Sequence, residues 1–154
     1  MARAKIPNLK NDEYYTPKEF VAIFGEFDYD PATTQEKAKE FNLVTFDTIE
    51  SDGLKTDWTK FGRIWINPPF TRKDEFISKA WETYQEVKNE IYILFPLDYM
   101  TTKKFHSTKA KGKLFIPNGR VNFERKDVSK GSPAFGSVVM KLQDTWEVEM
   151  INIK

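Results

Sequence analysis

Residues 91–95, Ile-Tyr-Ile-Leu-Phe, are apolar at nearly every position and stop at Pro96. A strand with one solvated face alternates apolar and polar residues, whereas an unbroken apolar run must be covered on both faces. This run therefore reads as the central strand of a parallel sheet with helices above and below. A second compact run, Arg63-Ile64-Trp65-Ile66, leads directly into Asn67-Pro68-Pro69-Phe70, where two prolines fix φ and end strand pairing. Between the two runs, residues 73–88 carry Phe76, Ile77, Ala80, Trp81 and Tyr84 at helical spacing.

The rest of the chain extends the pattern. Thr16-Pro17 opens a helix, with threonine able to cap and proline suited to the first turn; Phe20, Val21 and Phe24 form its apolar face and Gly25 ends it. Phe27-Asp28-Tyr29 reads as a short strand before Asp30-Pro31-Ala32, residues 33–41 as a helix with a threonine cap, and Leu43–Phe46 as another strand. Asp52-Gly53 marks a turn. The tail changes character: Lys113–Ile116, Arg120–Phe123, Ser137–Leu142 and Trp146–Ile153 are strand-like pieces. The expectation is an α/β fold with a mostly parallel sheet, an antiparallel C-terminal edge and helices on both faces. Ligands of such sheets bind beyond the carboxyl ends of the strands, where both Asp30-Pro31 and Asn67–Phe70 fall.

Composition excludes several chemistries. There is no cysteine, which removes disulfides, thiolate catalysis and cysteine zinc sites, and the single histidine, His106, argues against a histidine-built metal site. His106 reads as a surface residue among lysines. No apolar run is long enough to span a membrane, the N-terminus lacks a signal-peptide core, and the absence of cysteine fits the cytoplasm. A net charge of +1 neither requires nor forbids a nucleic-acid partner. The stretch from Lys103 to Lys113 is different: it holds five lysines and no acid, and it reads either as a solvated face or as a phosphate-contacting patch. Trp58, Trp65, Trp81 and Trp146 read as core residues.

Asn67-Pro68-Pro69-Phe70 carries the chemistry. An exocyclic amino group on a base is a poor nucleophile, because its lone pair is delocalised into the ring. Two acceptors aimed at its hydrogens, the side-chain oxygen of Asn67 and the carbonyl of Pro68, would favour a more tetrahedral nitrogen and drain the charge that develops on attack. The prolines stiffen the turn that holds them, and Phe70 offers a flat face for stacking. A base inside a duplex cannot reach such a pocket, so it would be flipped out or arrive single-stranded.

Four features occur in order: Tyr15-Thr16-Pro17 before a helix, Asp30-Pro31-Ala32 after the first strand, Asp52-Gly53-Leu54 with Trp58, and Trp65-Ile66-Asn67-Pro68-Pro69-Phe70. In this the chain resembles the bacteriophage-type DNA N6-adenine methyltransferases, and Gly119-Arg120-Val121-Asn122-Phe123 is similar to a late element of that family. The resemblance implies a Rossmann-like methyltransferase sheet with S-adenosylmethionine (SAM) as cofactor and no metal. It implies that Tyr15, Thr16 and Pro17 line the methionine end of the cofactor, that Asp30, Pro31 and Ala32 form the cofactor loop, that Asp52 sits near the cofactor adenine, and that Asn67, Pro68, Pro69 and Phe70 are catalytic. Larger relatives follow Asp-Pro-Ala with a glycine-rich turn; here Thr33-Thr34-Gln35 follows, with no glycine until Gly53.

The domain reading is a loose basic arm over residues 1–13 and a single methyltransferase domain over residues 14–154, without a separate target-recognition domain. DNA contacts would come from loops at 71–75, 98–113 and 124–135, which hold Arg72, Lys73, Lys103, Lys104, Lys109, Lys111, Lys113, Arg125, Lys126 and Lys130, and from Arg120. A short or relaxed recognition sequence, or a homodimer, would follow. The residues leave open the same chemistry on RNA adenine, cytosine N4 or a protein amide. The missing glycines also leave open a cofactor-free DNA-binding or anti-restriction protein on this fold.

Overall fold

A computed structural model describes residues 14–125 and 135–153. The expected arm at 1–13 and the loop lysines Lys126 and Lys130 lie outside the described residues. Seven strands form one sheet: β2 (Tyr29–Asp30), β3 (Thr45–Phe46), β4 (Arg63–Ile66), β5 (Glu90–Pro96), β6 (Gly112–Pro117), β8 (Ser137–Leu142) and β9 (Glu147–Ile151). Their spatial order is β3-β2-β4-β5-β8-β6-β9. β3, β2, β4 and β5 are mutually parallel, β8 runs antiparallel to both β5 and β6, and β9 is parallel to β6. The sheet is thus mostly parallel, as the sequence implies. Its antiparallel member is inserted between two strands on the C-terminal side, and a parallel β6–β9 pair forms the rim.

The fully apolar strand takes the centre. β5 lies fourth of seven in the sheet. Its side chains divide by parity: Ile91, Ile93 and Phe95 enter one buried cluster, and Tyr92 and Leu94 enter the other. β4 divides the same way, with Ile64 and Ile66 opposite Trp65. Each such fully buried aliphatic side chain contributes roughly 1.5–3 kcal/mol relative to exposure, so both faces must be covered. On one face the long helix α3 (Lys73–Val87) buries Phe76, Ile77, Ala80, Thr83 and Tyr84, and α4 (Lys103–Thr108) adds Phe105. On the other, α1 (Lys18–Ala22) lays Phe20 and Val21, with Phe24 just beyond, against Trp65 and Tyr92. α2 (Gln35–Glu40) is capped by Thr34, whose hydroxyl accepts the Lys37 N–H.

Several local expectations shift. The first strand is Tyr29–Asp30 rather than 27–29, because Asp28 turns its carboxylate onto the N–H groups of Gly62 and Arg63. Arg120–Phe123 is not a strand: Val121 and Phe123 are buried as anchors of an irregular segment. Pairing comes one step later, in a separate two-stranded ribbon of β1 (Tyr14–Tyr15) and β7 (Glu124–Arg125). Trp58 and Trp65 are core and Trp81 is half-buried, but Trp146 is half exposed, because it precedes the rim strand β9, whose Val148 and Met150 are exposed too.

The strand order reverses beside β2. The crossover through α2 goes to β3 on one side, while β4 and β5 extend on the other. That switch point leaves a crevice beyond the carboxyl ends of β2 and β4, and it is where the candidate site lies.

Candidate active site

Asp30 closes β2 and Asn67 follows β4, so the fold brings residues 37 positions apart to one crevice. A cleft there is lined by Tyr15, Thr16, Asp30, Trp65, Asn67 and Pro69, together with residues of the loop after β2 and of α2. A second hollow between α1 and α2 shares Asp30, Phe41 and Trp65 with it. Of the residues assigned from sequence, the structure gathers Tyr15, Thr16, Asp30, Ala32, Asn67 and Pro69 around this cleft.

Asp30 is 3% exposed, and its carboxylate accepts the Ala32 N–H at 2.9 Å, a local bond. Burial pushes its carboxyl up to about 7, against a smaller opposing effect of that N–H. A buried carboxylate on a cleft wall is unusual unless a cation or proton joins it.

Thr16 does not cap α1. The N-cap is Pro17, with no side-chain bond, and the buried Thr16 hydroxyl instead accepts the side-chain N–H of Asn67 at 3.0 Å. Phe70 opens a one-turn 3-10 segment (Phe70–Arg72) that runs into α3. Its ring meets Phe135 at 5.4 Å between centroids, and the Lys73 ammonium lies 4.6 Å from its centre.

Asp52 takes a left-handed backbone at φ 59°, and its carboxylate accepts the Leu54 N–H at 3.2 Å, with the Arg72 guanidinium 3.7 Å away. The neighbouring Gly53 packs its backbone against the Asp-Pro-Ala loop. A Cβ at Gly53 would stand 2.1 Å from the Pro31 carbonyl oxygen, so the close backbone approach is permitted from the adjoining loop. Trp58 donates its indole N–H to the Gly53 carbonyl at 2.9 Å and locks the contact. Gly53→Ala is therefore expected to destabilise the protein by about 1–3 kcal/mol through overpacking, read as a lower urea midpoint. An alanine variant as stable as the parent would refute the close packing.

One residue of this region escaped the sequence reading. Asp47, just past β3, accepts from Tyr29, from Thr56 at 2.6 Å and from Ser51 at 2.7 Å. Its backbone bonds to Asp30 and Thr33. Partial burial raises its carboxyl, but the three hydroxyls outweigh that and hold it below the ordinary range. Asp47 thus ties together the loops that carry Asp30, Ser51 and Thr56. The available signal was its place, an acid immediately after the second short strand.

The candidate DNA contacts divide by edge. Arg72, Lys73, Lys103, Lys104 and Arg120 follow strands at their carboxyl ends, on the side of the cleft. Arg72 is engaged with Glu75 at 2.7 Å, and Lys73 donates to the Phe70 carbonyl at 2.6 Å. Lys109 and Lys111 precede β6, which runs in the same direction as β5, so they lie at the opposite edge of the sheet. They are not gathered to the cleft, because α4 crosses from one edge to the other. His106 is exposed on α4, and among the described residues no group of three potential metal ligands occurs. No described helix is long and apolar enough to cross a membrane.

Residues 3–153 match the family model of DNA N-6-adenine-methyltransferase (Dam). A DNA N-6-adenine-methyltransferase of Escherichia phage T1 is 36% identical over 99 residues, which is 62% of this chain and 40% of that protein. The chain thus matches well under two thirds of that relative's length. The crystal structure of a predicted O-methyltransferase from Agrobacterium tumefaciens aligns with a TM-score of 0.41 at 10% identity, covering 80% of this chain and 65% of that one. Because the family match spans the switch-point crevice and both of its loops, the chain belongs to the DNA N-6-adenine-methyltransferase (Dam) family.

Proposed function

We propose that this protein transfers a methyl group from S-adenosylmethionine to the N6 amino group of adenine in DNA. The observation that carries the reading is the position of the Asn67–Phe70 turn. It leaves the carboxyl end of β4 at the switch point of the sheet, in one cleft with the buried carboxylate of Asp30. Membership of the family supports the same substrate.

The cleft suits the cofactor by charge. S-adenosylmethionine carries two cations, a sulfonium and an α-ammonium, and a buried carboxylate held near neutrality by burial is stabilised by a cation arriving beside it. Tyr15, Thr16 and Pro17 on one side, Asp30, Pro31 and Ala32 on another, and Asp52 on the adjoining loop would hold it. When bound, the cofactor supplies a methyl group activated by positive sulfur.

The chain's own residues do the rest. The Asn67 side-chain oxygen and the Pro68 carbonyl accept the two N6 hydrogens, which orients the nitrogen lone pair and offsets its developing positive charge. The proton leaves after transfer, so no strong base is required. Phe70 gives the base a stacking surface, with Lys73 already on the same ring. Adenine enters flipped out of the duplex or from a single strand. Arg72, Lys73, Lys103, Lys104 and Arg120, on the cleft side, are the candidates for phosphate contact. The protein works where host or phage DNA is, in the cytoplasm.

The test is incubation of purified protein with methyl-labelled S-adenosylmethionine and unmethylated DNA, followed by digestion to nucleosides. Label in N6-methyladenine is expected. Label in N4-methylcytosine, or in RNA or protein but not DNA, would reassign the substrate. Failure of the cofactor to raise the thermal midpoint would favour a cofactor-free DNA-binding protein, since a ligand specific to the native state must stabilise it.

A further inference from the structure

We infer that Lys37 holds the α-carboxylate of S-adenosylmethionine, as the cationic counterpart of Asp30. The inference rests on the cofactor reading proposed above. The amino-acid end of that cofactor is a zwitterion, with an ammonium and a carboxylate on one carbon. A site that holds it needs a negative and a positive group within one amino acid's reach of each other. Asp30 attracts the ammonium and the sulfonium but repels the carboxylate, so a cation must stand near it.

Lys37 stands there. Asp30 closes β2, and Lys37 lies in the first turn of α2, where its backbone N–H is fixed by the Thr34 hydroxyl. The loop between them thus starts at an acid and ends at a base. Both line the cleft with Tyr15, Thr16 and Asn67, and among the described residues that line it they are the two charged ones. A lysine normally carries its ammonium out to water, but Lys37 is 7% exposed. A charge in such a place is screened far less than one at the surface.

The ammonium is placed to receive an anion. It lies 5.5 Å from the centre of the Phe41 ring, which is part of the same cleft wall. Glu40 meets it at 2.9 Å with a side chain 37% exposed, so this ion pair runs from the cleft wall toward the surface. An ammonium has three donors and serves more than one acceptor, so a ligand carboxylate can join Glu40 on it. Burial and the Ala32 N–H, rather than Lys37, set the Asp30 carboxyl. The acid and the base therefore do not neutralise each other, and both act on the ligand.

Calorimetry with two ligands tests the assignment: S-adenosylmethionine, and its decarboxylated form, which keeps the adenosine, the sulfonium and the amine and lacks only the carboxylate. The parent should bind the complete cofactor about 10- to 100-fold more tightly than the decarboxylated form, the effect of one charge-assisted contact. Lys37→Met keeps an unbranched stem in the buried position and removes the charge. It should lower affinity for the complete cofactor by about the same 10- to 100-fold and leave that for the decarboxylated form within about threefold of the parent. Lys37→Gln, which keeps a donor for Glu40 without the charge, should do the same, and it keeps the test standing if methionine disturbs the helix. Glu40→Gln keeps the ammonium and should keep the parental preference, which separates carboxylate binding from support of α2 by the ion pair.

A parent that binds the two ligands equally overturns this inference alone. So does a loss of charge at Lys37 that weakens both ligands alike, or a Glu40→Gln variant that loses the preference as Lys37→Met does; either would leave Lys37 a structural residue of α2. A parent that binds neither ligand sinks the cofactor reading, and the inference falls with it.

Discussion

Asp30→Asn is expected to make the free protein more stable and its hold on S-adenosylmethionine weaker, two opposite effects from one nearly isosteric change. The carboxyl of Asp30 titrates near 7 in the folded protein, against an ordinary 3.8, because burial penalises its charged form. A raised carboxyl means that the native state prefers the proton. The stability tied to this group is whole below the unfolded value of about 4 and is lost as pH rises through about 7. By pH 8 the buried charge costs at most about 4 kcal/mol. The variant removes that cost and keeps an oxygen for the Ala32 N–H. Its thermal midpoint should exceed the parent's by several degrees at pH 8, and the gap should narrow as pH falls below about 7 and close near pH 4.

Cofactor binding runs the other way. A cationic ligand beside Asp30 favours the ionised form, so parental affinity should rise about tenfold per pH unit up to about pH 7 and then level off. Asp30→Asn cannot ionise. Its affinity should be flat over that range and about 10- to 100-fold weaker at pH 8, the loss expected for a charge-assisted contact. Calorimetric titration at four pH values reads both curves. Parallel curves for parent and variant would remove Asp30 from the cofactor site. A variant no more stable than the parent at pH 8 would mean that the carboxylate finds a native partner. A residue that destabilises the empty protein and is satisfied on binding is the usual form of a stability–function trade-off.

The architecture was legible because hydrophobic patterning specifies it directly. The run at 91–95 could only be a covered strand, and it became the centre of the sheet with its side chains divided between two cores. The crevice followed from alternation of strand and helix. What was not legible depends on contacts between distant segments. Thr16-Pro17 has the local signature of a cap, yet the hydroxyl is drawn 51 residues away to Asn67. No propensity records that competition, because it is settled only once β4 is in place. The backbone packing of the loop after Asp30 could not be read along the chain, since the glycine that permits it, Gly53, stands across from Pro31. Asp47 looked like one acid among many, and only the convergence of Tyr29, Ser51 and Thr56 distinguishes it. The lysine stretch shows the opposite case. It is contiguous in sequence, but α4 carries Lys103 and Lys104 on the cleft side and delivers Lys109 and Lys111 to the far edge.

Asn67→Ala should reduce methyl transfer by about 10²- to 10³-fold, the loss typical of removing one fixed group that stabilises transition-state charge. Cofactor affinity should change little, because the amide is proposed to engage the substrate amine. Stability should fall by about 1 kcal/mol, since the side chain is only half-buried and its bond to Thr16 is a neutral one. Asn67→Asp is the informative partner. It keeps an acceptor where the amine arrives, and the Thr16 hydroxyl can reverse its role and donate to the carboxylate. It should retain activity within about tenfold of the parent, read at pH 8 so that the new carboxylate, in one cleft with Asp30, is ionised. An acceptor requirement predicts this order: parent, then aspartate, then alanine far below. If alanine and aspartate were equally impaired, the amide's donor end would be the catalytic element and the substrate would be held through an acceptor of its own. If alanine kept activity within threefold, the acceptor pair at Asn67 and Pro68 would not be the source of catalysis, and the turn would serve only to shape the cleft.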